Sequence, residues 1–286
     1  MSHMHIMILG LGYTGAAIAR GAVARGWAVT GTSRDPGRVP AIPGVSVVPF
    51  DTASAVIGSA THLVQTAPPG LDGDPALLAH GPAIAAAPLQ SIGYLSTTGV
   101  YGDRSGGWVD EATEPAPTAP RSQRRLEAEQ AWRAAAGDRA LDLFRVAGIY
   151  GPGRSPFADL RDGTARRMDR PAHKFGRIHR DDIAAAVLAA MARPAGVRVL
   201  NLTDDTPAAS ADVVAEAARL LGIDPPPLTP FDPASMSDMA RSFWAESRRV
   251  SGVATQAALG LRWRYPSFRE GLAAILDQER AEQVKQ

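Results

Sequence analysis

Short apolar runs alternate with longer alanine-rich stretches along the first 200 residues of the chain. The first run, residues 5–9, is almost wholly apolar and ends at a glycine, which is typical of a strand buried on both faces of a parallel sheet. Further strands are predicted at residues 27–32, 45–50, 61–66, 91–96, 141–146 and 197–200. Helices are predicted at residues 13–25, 75–87, 121–136 and 182–192. This alternation predicts an α/β fold built on a doubly wound parallel sheet.

The pattern changes after residue 204, where a proline-rich stretch at residues 224–233 separates helical patterns at 211–221 and 267–278. We therefore predict two domains. The larger, residues 4–150 and 177–203, contains the sheet. The smaller is a lobe formed by residues 151–176 and 204–286, most of it C-terminal.

Composition excludes several classes of function. The 286 residues carry 30 basic and 29 acidic side chains, a net charge of +1, so there is no general field to attract nucleic acid or an anionic membrane. The chain has no cysteine, which excludes disulfides, thiolate metal sites and cysteine nucleophiles. We predict no metal site. No apolar run reaches the roughly 20 residues of a membrane span, and the first residues lack the features of a signal peptide, so we expect a cytoplasmic protein.

A glycine motif follows the first predicted strand and opens the first predicted helix. Gly10, Leu11, Gly12, Tyr13, Thr14 and Gly15 have the spacing G-x-G-x-x-G. In this context the first glycine permits a tight turn, the second lets a pyrophosphate approach the backbone, and the third packs helix against strand. We predict that these six residues bind a dinucleotide at the helix N-terminus. The alternative is a glycine-rich turn without a ligand.

The end of the second strand distinguishes between dinucleotides. An acidic residue there would bind the ribose hydroxyls of NAD, but the chain has Thr32, Ser33 and Arg34, which suit a 2′-phosphate. We predict NADP, with NAD as the alternative because Asp35 follows directly. Asp51, after the third strand, is predicted either to contact adenine or to cap a helix. Thr66, at the end of the fourth strand, is included in the cofactor site.

Five later segments, together with the glycine motif, resemble the extended short-chain dehydrogenase/reductase superfamily, which includes nucleotide-sugar epimerases and dehydratases. They occur in the family's order over residues 7–202: Ser96 to Gly102, Trp108 to Glu111, Arg125 to Glu129, Arg145 to Gly153 and Ile178 to Asp182. The resemblance implies a Rossmann domain with a C-terminal substrate lobe, a nicotinamide cofactor and a small-molecule substrate, in a monomer or homodimer.

The family's catalytic pair is missing. Members carry a Ser or Thr after the fifth strand, here Thr97, and a Tyr-x-x-x-Lys pair about 25 residues later. Arg121 and Arg125 stand at those two positions, and no Tyr-x-x-x-Lys occurs anywhere in the chain. Arginine stays charged at neutral pH and does not replace the phenol. We predict three catalytic candidates. Thr97 contacts the substrate or caps the turn, and Tyr101 is a packing residue or a replacement proton donor. Arg121 is a solvated arginine or an anion anchor.

Two functions from different classes follow. The first is an NADP(H)-dependent oxidoreductase or epimerase-like enzyme that acts on a small polar or anionic substrate with a nonstandard proton donor. The second is a noncatalytic protein that senses NADP(H). A flavoprotein or hydroxyacid dehydrogenase that shares only the glycine motif is disfavoured by the later motifs. The acidic pairs Asp110-Glu111 and Asp181-Asp182 are interpreted as structural loop and helix-start carboxylates.

Overall fold

The computed structural model describes residues 4–236, 241 and 244–284. Within them the strands are β1 (His5–Leu9), β2 (Ala28–Ser33), β3 (Val45–Pro49), β4 (His62–Gln65), β5 (Ser91–Thr97), β6 (Trp108–Val109), β7 (Ala140–Val146), β8 (Gly148–Tyr150), β9 (Arg167–Asp169), β10 (Arg177–His179), β11 (Val197–Leu202), β12 (Leu228–Pro230) and β13 (Arg249–Val250). The helices are α1 (Tyr13–Val23), α2 (Ser54–Ile57), α3 (Pro75–Ala86), α4 (Pro120–Ala136), α5 (Phe157–Arg161), α6 (Arg180–Met191), α7 (Ser210–Leu221), α8 (Val253–Leu259) and α9 (Phe268–Gln283).

Seven strands form a parallel sheet in the order β11-β7-β5-β4-β1-β2-β3. The strand order reverses between β1 and β4, because β2 and β3 lie on one side of β1 and the later strands on the other. In open α/β sheets such a switch point creates a crevice at the carboxyl ends of the strands, where ligands bind. The α/β prediction with a doubly wound parallel sheet is confirmed.

The sheet is buried because its central strands are apolar on both faces. Residues Ile6 to Leu9 of β1 are fully buried. Met7 and Leu9 point to the face covered by α3 and α4, where they join Tyr94 and Trp132 in one apolar cluster. The side chains alternate along a strand, so Ile6 and Ile8 point to the opposite face. Continuous burial of this kind explains why the short apolar runs identified the strands.

The chain forms two compact units. One consists of Met1–Val100, Pro120–Val146 and Ile183–Leu200, and the other of Tyr101–Ala119, Ala147–Asp182 and Asn201–Gln286, as far as these residues are described. The second unit has its own core, in which Phe157 and Leu160 of α5 pack with apolar residues of α7 and α9. Compared with the predicted domains, residues 101–119, 147–150, 177–182 and 201–203 group with the second unit. The assignment of one domain to the dinucleotide and the other to the substrate stays a prediction.

Short elements escaped the sequence analysis. The seven sheet strands and the longer helices lie within a few residues of their predicted positions. The paired two- and three-residue strands, such as β6 with β13, had no detectable pattern. Such strands are too short to show an alternation of apolar and polar residues, and their partners lie far away in the sequence.

Candidate functional site

The glycine turn after β1 is held by hydrogen bonds to the end of β2. Gly10 has φ +107°, a conformation that residues with a side chain rarely adopt. Its N–H donates to Thr32 Oγ1 at 2.9 Å, and the N–H of Leu11 donates to the Thr32 carbonyl oxygen at 2.8 Å. The backbone of the turn is therefore fixed before any ligand binds.

Gly12 and Gly15 have opposite surroundings. A Cβ atom added to Gly12 would meet nothing within 4 Å, so the turn borders open space there. A Cβ added to Gly15 would overlap the carbonyl oxygen of Gly10, so α1 packs against the turn only because Gly15 lacks a side chain. Gly12 is the N-cap of α1, and no side chain caps the helix. An open space beside an uncapped helix N-terminus is the environment that binds a phosphate.

Several predicted cofactor residues support the turn itself. The hydroxyl of Thr66 donates to the Gly10 carbonyl oxygen at 2.6 Å. Thr32 is fully buried, with its hydroxyl oxygen bonded to Gly10, and Leu11 packs over Gly31, where a Cβ would overlap it. Direct contacts of these side chains with a cofactor stay predictions. The same holds for Tyr13 and Thr14, the first residues of α1, of which Thr14 is buried.

Charged side chains follow β2 in an exposed loop. Ser33 donates its hydroxyl to the Asp35 carbonyl oxygen at 3.0 Å and accepts the Asp35 N–H at 3.1 Å, so this hydroxyl belongs to the turn. Asp35 Oδ2 lies 3.5 Å from Nε of Arg38, whose side chain is 88% exposed. Arg34 is exposed and has no hydrogen-bond or ion-pair partner among the described residues. The sequence analysis missed Arg38, although its spacing of four from Arg34 was visible.

Asp51 lies in a short 3-10 turn directly after β3 and is exposed. The residues that begin this turn and α2 are Pro49 and Ala53, and neither has a side-chain cap. Asp51 therefore does not cap either helix, and the helix-cap interpretation is wrong. The adenine contact stays a prediction.

Thr97 is the last residue of β5 and is half-buried. Its Oγ1 accepts the N–H of Gly99 at 3.1 Å, as in a turn cap. The hydroxyl hydrogen of Thr97 takes no part in that bond. Thr97 can therefore cap the turn and still donate a hydrogen bond to a substrate.

Tyr101 is fully buried and donates its phenol hydrogen to Oδ1 of Asn201 at 2.7 Å. Asn201 in turn donates from Nδ2 to the Ser251 carbonyl oxygen at 3.1 Å. A proton donor must reach its acceptor within hydrogen-bond distance, directly or through one water. The burial and the bond to Asn201 give Tyr101 a structural role, which accounts for it without catalysis.

The two arginines at the positions of the family's catalytic pair differ in environment. Arg121 is exposed on α4, whereas Arg125 is half-buried. Arg125 Nη1 donates to the Leu95 carbonyl oxygen at 2.7 Å and to the Tyr94 hydroxyl at 3.2 Å. Burial raises the pKa of Tyr94 to about 12, although the Arg125 charge opposes the shift. Arg125 therefore connects α4 to β5 at the position where the family has lysine.

A buried charged cluster holds the same helix in place, and the sequence analysis missed its contacts. Glu129 accepts hydrogen bonds from Ser96 at 2.6 Å and from Arg145 at 2.9 Å, and all three side chains are buried. Removing one partner of such a pair leaves a buried charge without compensation, which costs about 3–5 kcal/mol. The available signal was a charged residue, Arg145, in a strand that is apolar except for Asp142.

Buried titratable groups occur in the second unit as well. Asp204 is 1% exposed, and burial raises its pKa to about 8 despite the opposing charge of Arg177. Burial lowers the pKa of His179 to about 4, and its Nδ1 accepts the Asp181 N–H at 3.2 Å. Asp182 accepts the N–H groups of Arg264 and Tyr265, which agrees with its structural interpretation.

The described residues include no group of three or more His, Asp or Glu side chains arranged to hold a metal ion. In the described part of the chain, every helix is too short or too polar to span a bilayer.

Known proteins resemble the chain at several levels, although no model of a known protein family matches it. Protein YeeZ from Escherichia coli (strain K12) is 29% identical over 246 residues, 77% of this chain and 85% of YeeZ. A 3-diazoavenalumate denitrifying reductase from Streptomyces sp is 31% identical over 148 residues, 48% of each chain. The similarity to that reductase therefore covers about half of each chain.

Among solved structures, a functionally unknown conserved protein from Silicibacter pomeroyi DSS is 43% identical, with a TM-score of 0.91 over 96% of this chain and 99% of that one. A Methylobacillus flagellatus protein named for the NAD-dependent epimerases/dehydratases is 26% identical, with a TM-score of 0.77 over 98% and 100%.

Two more distant structures show the same fold and were solved with a dinucleotide. Human epimerase family protein SDR39U1, with NADPH, is 19% identical, with a TM-score of 0.74 over 96% of this chain and 99% of that one. MoeE5, with UDP-glucuronic acid and NAD, is 20% identical, with a TM-score of 0.79 over 97% and 99%.

Proposed function

Because the chain belongs to the extended short-chain dehydrogenase/reductase superfamily, we propose that it is an NADP(H)-dependent oxidoreductase or epimerase-like enzyme acting on a small polar or anionic substrate. One observation carries the proposal. The turn after β1 leaves open space beside Gly12, at an uncapped helix N-terminus and at the switch point of the sheet. These are the requirements for a pyrophosphate.

The chain's own residues fit a dinucleotide at this turn. Gly12 provides the close backbone approach, and the N–H groups of the first turn of α1 stabilise phosphate charge. Gly10, Thr32 and Thr66 fix the turn through the bonds described above, so little order is gained on binding and little entropy is lost. A nicotinamide dinucleotide held at this turn would supply hydride transfer to or from a substrate carbon.

The preference for NADP(H) rests on Arg34. Its guanidinium is exposed and unpaired among the described residues, whereas Asp35, the residue that favoured NAD, has its carboxylate directed to Arg38. An arginine binds a phosphate by charge-assisted hydrogen bonds, often two at once. Asp51, exposed after β3, is proposed to contact the adenine ring. The human relative solved with NADPH supports this choice, and relatives solved with NAD keep NAD as the alternative.

On the substrate side, Thr97 is proposed to orient the reacting oxygen through its hydroxyl hydrogen. Arg121 is proposed to bind a carboxylate or phosphate group of the substrate, because its charge is permanent and its side chain is exposed. Tyr101 remains a candidate proton donor only if its hydroxyl leaves Asn201. The reductase from Streptomyces, which is similar over about half of this chain, supports a reduction as the reaction class.

A noncatalytic NADP(H) sensor is the second candidate, and a specific observation favours it. The positions of the family's Tyr and Lys hold two arginines, of which Arg125 is bound to β5. Neither exchanges a proton at neutral pH. For either function we propose a cytoplasmic protein, monomeric or dimeric, with a small molecule as its ligand rather than nucleic acid, in keeping with the net charge of +1.

Two measurements test the proposal. Calorimetric titration with NADPH and NADH measures both affinities, and we expect NADPH to bind more tightly. A panel of aldehydes, ketones and keto-acids is then assayed for oxidation of NADPH. Turnover supports the enzyme, whereas tight binding without turnover of any class supports the sensor. Absence of binding to either dinucleotide would reject both functions.

A further inference from the structure

A second candidate binding site lies on the surface of the second unit. A cavity of about 410 Å³ is lined by Trp108, Val109, Asp110, Thr113 and Ser251. None of these residues takes part in the proposed function. The cavity therefore requires a separate explanation.

Trp108 presents an exposed aromatic surface on a fixed backbone. Its side chain is 59% exposed, which is unusual for the largest apolar residue. Strand β6 is fixed on β13, because Arg249 donates its N–H to Gly107 and Ser251 donates its N–H to Val109, each at 2.9 Å. Val109 is buried. Successive side chains on a strand point in opposite directions, so the burial of Val109 directs Trp108 outward.

Asp110 supplies a negative charge beside the indole. Its Oδ1 accepts hydrogen bonds from the Ala112 N–H at 3.1 Å and the Thr113 hydroxyl at 2.8 Å, which fixes the carboxylate. Its Oδ2 has no partner among the described residues. The hydroxyl of Ser251 only accepts, from the Val253 N–H at 3.4 Å, so it is also available to a ligand.

The charges around the cavity favour a cation. No basic residue lines it. Glu111, next to Asp110, uses Oε1 to accept the Thr255 hydroxyl at 2.6 Å, and its buried Oε2 has no partner among the described residues. Arg249 of β13 pairs through its backbone with Trp108, but its side chain does not line the cavity. A tryptophan ring attracts a cation placed over its face, and a carboxylate beside the ring adds Coulomb attraction.

We propose that this cavity binds a small organic cation, a protonated amine or guanidinium carried on an apolar body. The apolar body contacts the Trp108 indole. The cationic group lies over the ring and pairs with the free oxygen of Asp110, and Ser251 accepts a further hydrogen bond from it. The Trp108 cavity is thus independent of the dinucleotide turn.

The test uses the full chain with ¹⁵N-labelled tryptophan and compares benzylamine, which is positively charged at neutral pH, with uncharged benzyl alcohol. We expect benzylamine to shift the indole signal that is absent in Trp108→Ala, and to do so saturably. Asp110→Asn keeps the turn acceptor and removes the charge, so it should weaken benzylamine binding at least about tenfold. Asp162→Asn removes an exposed carboxylate that does not line the cavity and serves as the matched control.

Three results would overturn the proposal. Equal binding of benzyl alcohol would mean that the cavity recognises only an apolar ring. Unchanged affinity of Asp110→Asn for benzylamine would mean that the negative charge of Asp110 does not contribute to binding. Weaker binding in Arg249→Gln would contradict a cation site, because removing a nearby positive charge must leave a cation's affinity equal or higher.

Discussion

The phenol of Tyr101 donates a 2.7 Å hydrogen bond to the side-chain oxygen of Asn201, and no part of Tyr101 is exposed. The sequence motif places this tyrosine close behind the strand that carries Thr97, which made it a candidate acid. Its burial and its hydrogen bond to Asn201 indicate instead that Tyr101 stabilises the second unit.

The first prediction distinguishes these roles. Tyr101→Phe leaves Oδ1 of Asn201 buried without a donor, which costs about 1–3 kcal/mol in the free energy of unfolding. We expect that loss in urea denaturation, with little change in kcat for any substrate found. A fall in kcat of about 10²–10⁴ without a loss of stability would instead identify Tyr101 as the proton donor.

The second prediction concerns Gly12. Its φ of −79° suits any residue and a Cβ there meets nothing, so Gly12→Val should fold, with only the small loss of stability that a less favourable N-cap residue causes. The added side chain fills the space proposed for the pyrophosphate, so NADP(H) affinity should fall at least about tenfold, or 1.4 kcal/mol. Calorimetry measures it. Gly15→Ala is the contrasting variant, because its Cβ meets the Gly10 carbonyl and the fold itself should be destabilised. If Gly12→Val binds NADPH normally, the phosphate site lies elsewhere.

The third prediction concerns the choice between dinucleotides. A hydrogen bond to a charged group contributes about 1.5–3 kcal/mol, so Arg34→Ala should weaken NADP(H) binding by about ten- to a hundredfold. NAD(H), which lacks the 2′-phosphate, should bind as before. Arg133→Ala, at an exposed arginine of α4, is the control. Equal losses for both dinucleotides in Arg34→Ala would refute the assignment.

The fourth prediction concerns Arg121. If it anchors an anionic group of the substrate, Arg121→Ala should raise the apparent KM about tenfold or more, the value of one charge-assisted hydrogen bond. The KM for an uncharged analogue should not change, and Arg133→Ala should leave both KM values as they are. A uniform fall in kcat with a constant KM would contradict anchoring.

The fifth prediction is a pH dependence set by Asp204. Burial raises its pKa to about 8, so the folded state keeps a proton that the unfolded state releases above its ordinary pKa of about 4. The free energy of unfolding should therefore fall as pH rises from about 4 to 8, by at most about 1.4 kcal/mol per pH unit from this group. Above pH 8 the contribution should be constant.

Asp204→Asn removes this dependence and isolates it. Burial lowers the pKa of His173 and of His179 to about 4. Below about pH 6.5 the unfolded state therefore binds protons that the folded state does not, and the free energy of unfolding falls as pH falls. That opposite trend is common to both proteins and cancels in their difference. Urea denaturation from pH 5 to 9 should show the variant gaining relative stability up to pH 8. A constant difference across this range would contradict the raised pKa.

The sequence by itself determined the sheet strands, the longer helices and the glycine turn, because each of these depends on local pattern. A run such as residues 5–9 is apolar on both faces only when it is buried on both, and Gly10, Gly12 and Gly15 are needed wherever backbone, helix and phosphate meet. The missing Tyr-x-x-x-Lys pair is likewise a property of the sequence alone.

Only the tertiary structure decided what individual polar side chains do. Whether Thr32 faces a ligand or Gly10, whether Asp35 meets Arg38, and whether Tyr101 reaches Asn201, 100 residues away, depends on which groups folding brings within 3 to 4 Å. Hydrogen bonds and ion pairs act at that range, and their partners here are distant in sequence or set by loop geometry. No local sequence pattern encodes such distances. The sequence therefore left alternative roles open for these side chains, and the contacts in the folded protein distinguish between them.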